Sequence, residues 1–216
     1  HKLDVPNRCM NGSETTHTNT VAFDNLMLQE FQIMFEEYLI THCSPTLASL
    51  KPASLFLYRF SSGEELYESV AVWDAQFQKK GIRITILRED TETALIYVYR
   101  PDTMVRELSR PEIISFLVST GYQAGTIDQM LEQLRSRLHG SEEFPHEIGV
   151  FLGYPLNDVL GFIKNHGSNC KGMGDWKVYG DLGEAQKTFA KFKKCREIYA
   201  NLWHQGRTIW QLTVAA

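Results

Sequence analysis

The sequence predicts a single α/β domain of the α+β kind: one small mixed sheet of about four strands with a predominantly helical C-terminal half. Three observations predict it. Two β-branched and aromatic runs, "IRITILRED" (82–90) and "TALIYVYR" (93–100), are separated by a short polar turn, as in a hairpin. The stretch before them, "GEELYESVAVWDAQFQKK" (63–80), places Leu66, Val70, Trp73 and Phe77 on one helical face. Beyond residue 100 helical spacing dominates, and a strand pattern returns only in "DWKVYG" (175–180).

The elements follow in order. Residues 1–21 are polar and rich in Thr, Asn and Ser, and read as a flexible leader or appended segment ahead of one domain over 22–216. Met27, Phe31, Met34 and Tyr38 recur at helical spacing, with Asp24 as N-cap. Ser44 and Pro45 read as the N-cap and first position of a short helix that Pro52 ends. "SLFLYRF" (54–60) is the first strand, and strand, helix and strand over 54–88 imply a right-handed crossover. Gly81 stops the intervening helix. Helices are expected near 102–108, 111–120 and 126–139. Pro145 and Pro155 each suit a first helical turn, and Gly167 suits a C-terminal stop. Strand 176–180 is expected to join the main sheet. Asp181 and Glu184 then open a last long helix in the manner of a capping box. Phe189, Phe192, Cys195, Tyr199 and Leu202 line one side of that helix, and its lysine cluster reads as a solvated face.

Composition narrows the function. A formal net charge of −4 gives no basic field for nucleic acid or an acidic membrane surface. No apolar run reaches the length of a membrane span, and the N-terminus lacks the order of a signal peptide. The four cysteines, Cys9, Cys43, Cys170 and Cys195, form no CxxC pair, so they read as reduced thiols of a cytoplasmic protein.

Three stretches stand in a fixed order: "HCSPTLASLKPASLF", "FPHEIGVFLGYPLNDVLGFI" and "NCKGMGDWKVYGD". Together they resemble a bacterial family designated domain of unknown function 3793, common in anaerobic Firmicutes. The resemblance runs from about Leu39 to Val214. It implies a bacterial cytosolic protein and carries no activity with it. Many relatives have further cysteines just after the position of Cys170, where this chain has Gly172 and Asp175. That departure argues against a cysteine-only metal or cluster site.

The candidate chemistry gathers on a few residues. A thiol at a helix N-terminus is acidified by the backbone dipoles, which makes Cys43 a candidate nucleophile or ligand; the competing reading is an inert core cysteine. Cys170 lies in a polar glycine-rich turn, where packing is a weaker reason for a cysteine, and Lys171 beside it favours the thiolate. Gly172 and Gly174, with Gly167, allow positive φ and close approach of backbone to a ligand, and Trp176 follows them. The competing reading is a tight turn into an edge strand. His146 is a candidate base or metal ligand and Glu147 its partner, although a glutamate in a first helical turn is also what the helix dipole favours. Cys170 and His146 are the candidate metal ligands.

The functional expectation is therefore a protein binding a small molecule, an anion or a metal at the Cys-Lys glycine loop. The alternative is a non-catalytic accessory or interaction protein. Helix-turn-helix DNA binding by 147–165 ranks third, because the second helix is largely apolar with Lys164 as its only base. The sequence names no cofactor, no reaction and no oligomeric state.

Overall fold

The computed structural model describes residues 33–140 and 143–216. Met27, Phe31, the Asp24 cap, Cys9 and the leader lie outside them. The described chain runs α1 (residues 33–47), β1 (Ala53–Arg59), α2 (Gly63–Gln78), β2 (Arg83–Glu89), β3 (Thr93–Tyr99), α3 (Pro101–Leu108), α4 (Pro111–Ser119), α5 (Ile127–Gly140), α6 (Ile148–Phe151), α7 (Leu156–Lys164), β4 (Gly172–Met173), β5 (Lys177–Val178), α8 (Leu182–His204) and α9 (Ile209–Leu212).

The fold is mixed α/β, built on a three-stranded sheet in the order β1-β3-β2. Both ladders are antiparallel, with Phe56 and Ile86 opposite Ile96. The 82–100 hairpin forms as the two β-branched and aromatic runs predict. β3 is apolar nearly throughout because both faces of it are covered. Leu95, Tyr97 and Tyr99 enter a core shared with α3 to α7. Ala94, Ile96 and Val98 enter a second core shared with α1, α2 and α9. One period-2 strand thus feeds two hydrophobic layers.

Two expectations are corrected. Strand 176–180 does not join the main sheet; β5 pairs only with β4, as a separate two-stranded ribbon. Its ladder is four residues long and lies in the connection between α7 and α8. Second, Ser44 and Pro45 do not start a helix: α1 runs through both. Its apolar stripe of Leu39, Ile40, Cys43 and Leu47 is fully buried, and that burial outweighs the backbone bond a proline removes. Ser44 Oγ instead donates back to the Ile40 carbonyl. β1 and β2, joined through α2, run parallel to each other with β3 between them.

α2 behaves as read. Ser62 caps it by accepting from the Glu65 amide, and Leu66, Trp73 and Phe77 are buried. Gly81 follows at φ +72°, a left-handed stop.

The end of α1 is closed by Arg100, which is buried at the start of α3. Its Nε donates to the Thr46 carbonyl at 2.8 Å, and its Nη2 to the carbonyls of Leu47 (2.9 Å) and Val214 (2.7 Å). A guanidinium at a helix C-terminus is favoured by the dipole and satisfies carbonyls that the helix leaves unpaired. Burial lowers its pKa from the ordinary arginine value, and the group remains a cation. Arg100→Met should therefore cost about 3 kcal/mol, since it removes three charge-assisted hydrogen bonds at the meeting of α1, β3 and the C-terminus. Urea denaturation with an unchanged slope and a lowered midpoint would check this.

Candidate functional site

The glycine turn is held from α7 by one side chain. Asp158 sits in the first turn of α7 and is buried at 3% exposure. Its Oδ1 accepts the Tyr179 amide at 2.8 Å and the Gly180 amide at 2.7 Å. Its Oδ2 accepts Trp176 Nε1 at 2.7 Å. A carboxylate leaves water at tolerable cost when N–H donors replace its hydration, and here three do.

The other face of the turn packs on α8. Asp175 forms a two-pronged pair with Arg196, at 2.7 and 3.1 Å. Asp181 caps α8 by accepting the Glu184 amide at 3.0 Å, as read from the sequence. A Cβ on Gly174 would stand 2.3 Å from the Phe189 ring, and one on Gly172 would stand 2.5 Å from Leu182 Cδ1. Neither glycine has positive φ. Their missing side chains let α8 approach the turn; of the three glycines expected to supply left-handed backbone, only Gly167 does, at φ +73°.

Two cavities flank this ribbon, and Trp176 and Asp158 line both. The first, of about 430 Å³, has apolar walls from Leu55, Tyr154, Val159, Phe162 and Met173, with His146 and Lys177 as its basic groups. The second, of about 380 Å³, is lined by Lys51, Asn157, Asp181, Glu184, Thr188 and Phe192 among others. The Trp176 ring packs edge-on to Phe189 at 4.6 Å and beside Tyr154 at 5.1 Å.

The candidate residues separate. His146 lines the first cavity, its ring 4.8 Å from that of Phe162. Its neighbour Glu147 is buried elsewhere, accepting from Tyr122 Oη and Arg137 Nη1, both at 3.2 Å, so the two do not act as a pair. Gly174 and Trp176 line the first cavity; Gly172 does not. Lys171 donates to the Gly180 carbonyl at 2.7 Å and closes the ribbon on itself. Cys170 is half-buried and lines neither cavity. Cys43 lies inside α1, not at its start, and is fully buried. The helix-start dipole is absent there, and burial pushes its thiol pKa well up. Among the described residues no three His, Cys, Asp or Glu side chains are grouped to hold a metal.

Sequence reasoning missed four residues: Asp158, Tyr154, Lys177 and Lys51. Asp158 had one available signal, a lone carboxylate in the first turn of an otherwise apolar helix. Lys51 had none beyond its place within "HCSPTLASLKPASLF".

An antiparallel sheet between helical layers, with a glycine ribbon pinned to two helices, defines a mixed α/β fold without a metal cluster among its described residues. The chain belongs to the family described as protein of unknown function (DUF3793), whose model matches residues 39–213. No curated protein and no solved structure matches it. No helix among the described residues is long and apolar enough to cross a membrane.

Two outcomes follow from this geometry. Asp158→Asn presents an amide where three N–H groups need acceptors. It should lose about 2 kcal/mol of stability, with faster hydrogen exchange at the Tyr179 and Gly180 amides. Mild alkylation at neutral pH, mapped by mass spectrometry, should label Cys170 before Cys195, whose thiol burial pushes up, and Cys43 last.

Proposed function

We propose that this is a cytoplasmic bacterial protein that binds a small, mainly apolar acid in the 430 Å³ cavity beside the glycine ribbon. The observation that carries this reading is the lining. Apolar and aromatic walls surround two basic side chains, and the one carboxylate, Asp158, already accepts three N–H donors. Such a concave apolar site with a few polar groups is the usual form of a small-molecule pocket. Lys177 Nζ donates to the Gly167 carbonyl at 2.8 Å and has further protons to offer. Met173, 74% exposed, and Phe144 supply apolar surface to the same cavity. The contacts fall on Met173, Gly174, Trp176, Lys177 and His146; Cys170 and Lys171 support the ribbon from outside it.

A second reading, as an interaction protein, is favoured by a different observation. Val105, Ile114 and Val118 are exposed apolar side chains around a groove between α3, α4 and α5.

Calorimetric titration with small aromatic and aliphatic carboxylic acids, each beside its methyl ester, tests the first reading. Lys177→Met should weaken the acids by about tenfold, roughly 1.4 kcal/mol, and leave the esters unchanged. Absence of binding by every acid, or equal loss for acid and ester, sinks it.

A further inference from the structure

The second cavity holds an amine that is left without a carboxylate or carbonyl partner among the described residues. Lys51 follows α1 and lines the cavity with Asp158, Asp181, Glu184, Thr188 and Trp176. Its Nζ stands 5.1 Å from the centroid of the Tyr154 ring and forms no hydrogen bond or ion pair with a described residue. The carboxylate whose charge it feels most, Asp175, is already taken by Arg196 on both oxygens. The charged and titratable groups around it are thus Asp175, Arg196 and the Cys43 thiol, with Asp158, Asp181 and Glu184 on the cavity wall. Asp158 and Asp181 are committed to backbone and indole N–H groups.

We propose that Lys51 is the nucleophilic amine of a second site, in which the cavity admits a small uncharged carbonyl compound and Nζ condenses with its carbonyl carbon. The lone pair of the neutral amine forms the C–N bond, and the nitrogen's proton passes to the carbonyl oxygen, giving a carbinolamine. Loss of that hydroxyl with a proton, as water, leaves the imine. No oxidant or reductant enters. The acidic wall selects against anionic carbonyl compounds, and Glu184, whose Oε1 accepts from Lys187 Nζ at 2.7 Å, keeps its second oxygen for the proton transfers. Burial is the main reason that the amine's pKa falls to about 8. At pH 7.5 roughly a quarter of it is then neutral, against about 0.1% for an exposed lysine of pKa about 10.4. A desolvated amine of this kind is the usual form of a Schiff-base lysine.

The test is reductive trapping. The full chain is incubated with propanal and cyanoborohydride at limiting extent, and the modified lysines are mapped by mass spectrometry. Lys51 should be alkylated at least tenfold faster than the exposed Lys171 and Lys193 at pH 7.5. Its rate should rise to a plateau with a midpoint near pH 8, whereas the exposed lysines should still be rising at pH 10. Lys51→Arg should remove the fast site alone; if that variant misfolds, the wild-type map still decides. Labelling of Lys51 no faster than Lys193, or a profile without a midpoint below pH 9, overturns the proposal. Neither readout uses the acid-binding cavity, so the two readings fail independently.

Discussion

The carboxylate of Asp158 is the constraint on which the site depends. It is a buried carboxylate compensated chiefly by three N–H donors, all contributed by the segment from Trp176 to Gly180. The two-residue strands β4 and β5 could not hold a shape by their own ladder, because a two-stranded ribbon of that length is marginal in water. The ribbon is ordered because α7 supplies an acceptor that its backbone would otherwise lack. Position in the first turn of α7 adds the favourable end of the helix dipole to the same carboxylate. The Asp175–Arg196 pair repeats the device on the opposite side, from the ribbon to α8.

That arrangement needs α7 itself to be fixed, and the sheet fixes it. Tyr97 on β3 donates its hydroxyl to the Phe151 carbonyl, so the central strand holds the short α6 directly. Gly149 in α6 lies so close to Val159 that a Cβ there would stand 2.7 Å from its methyl group. α6 and α7 therefore pack nearly backbone to side chain, and Tyr154 between them is carried to the Trp176 ring. The path from β3 through α6 and α7 to the ribbon is a chain of short contacts, each set by a small residue or a satisfied polar group. Arg100 performs the corresponding task on the other face, joining α1 to the sheet.

Much of the fold was legible because its signals are periodic. The β-branched and aromatic run of β3, the apolar stripe of α2 and the Asp181 cap each follow from local chemistry, and each formed where it was expected. The errors fall where tertiary burial overrides a local rule. Ser44-Pro45 carries a helix-start signal, yet the stripe through Cys43 and Leu47 draws α1 across it. Trp176 to Gly180 reads as a strand, and β5 is one, but no sequence pattern tells which partner a strand will find. The site was legible in outline only. The glycines mark the ribbon, while their reason, close approach of Leu182 and Phe189, involves residues with no special spacing. Asp158 and Lys51 are single polar residues, and a single residue has no period to read.

The lining of the two cavities explains why the chain places its polar groups as it does. Trp176 is fixed on three sides: its N–H by Asp158, its ring by Phe189 at 72° and by Tyr154 at 31°. A wall held in this way exists before any ligand arrives, so binding does not have to order it, and the entropy of immobilising a large side chain is already met by folding. The same fixation keeps the two cavities apart. On the first side, His146 and Lys177 lie among apolar carbon; on the second, Lys51 shares the lining with Asp181 and Glu184 at the start of α8. Were Trp176 free to turn, its indole N–H would abandon a buried carboxylate, a loss of about 1–3 kcal/mol that no water in that position could fully repair. The hydrogen bond that shapes the ribbon is thus also what keeps one wall serving two cavities.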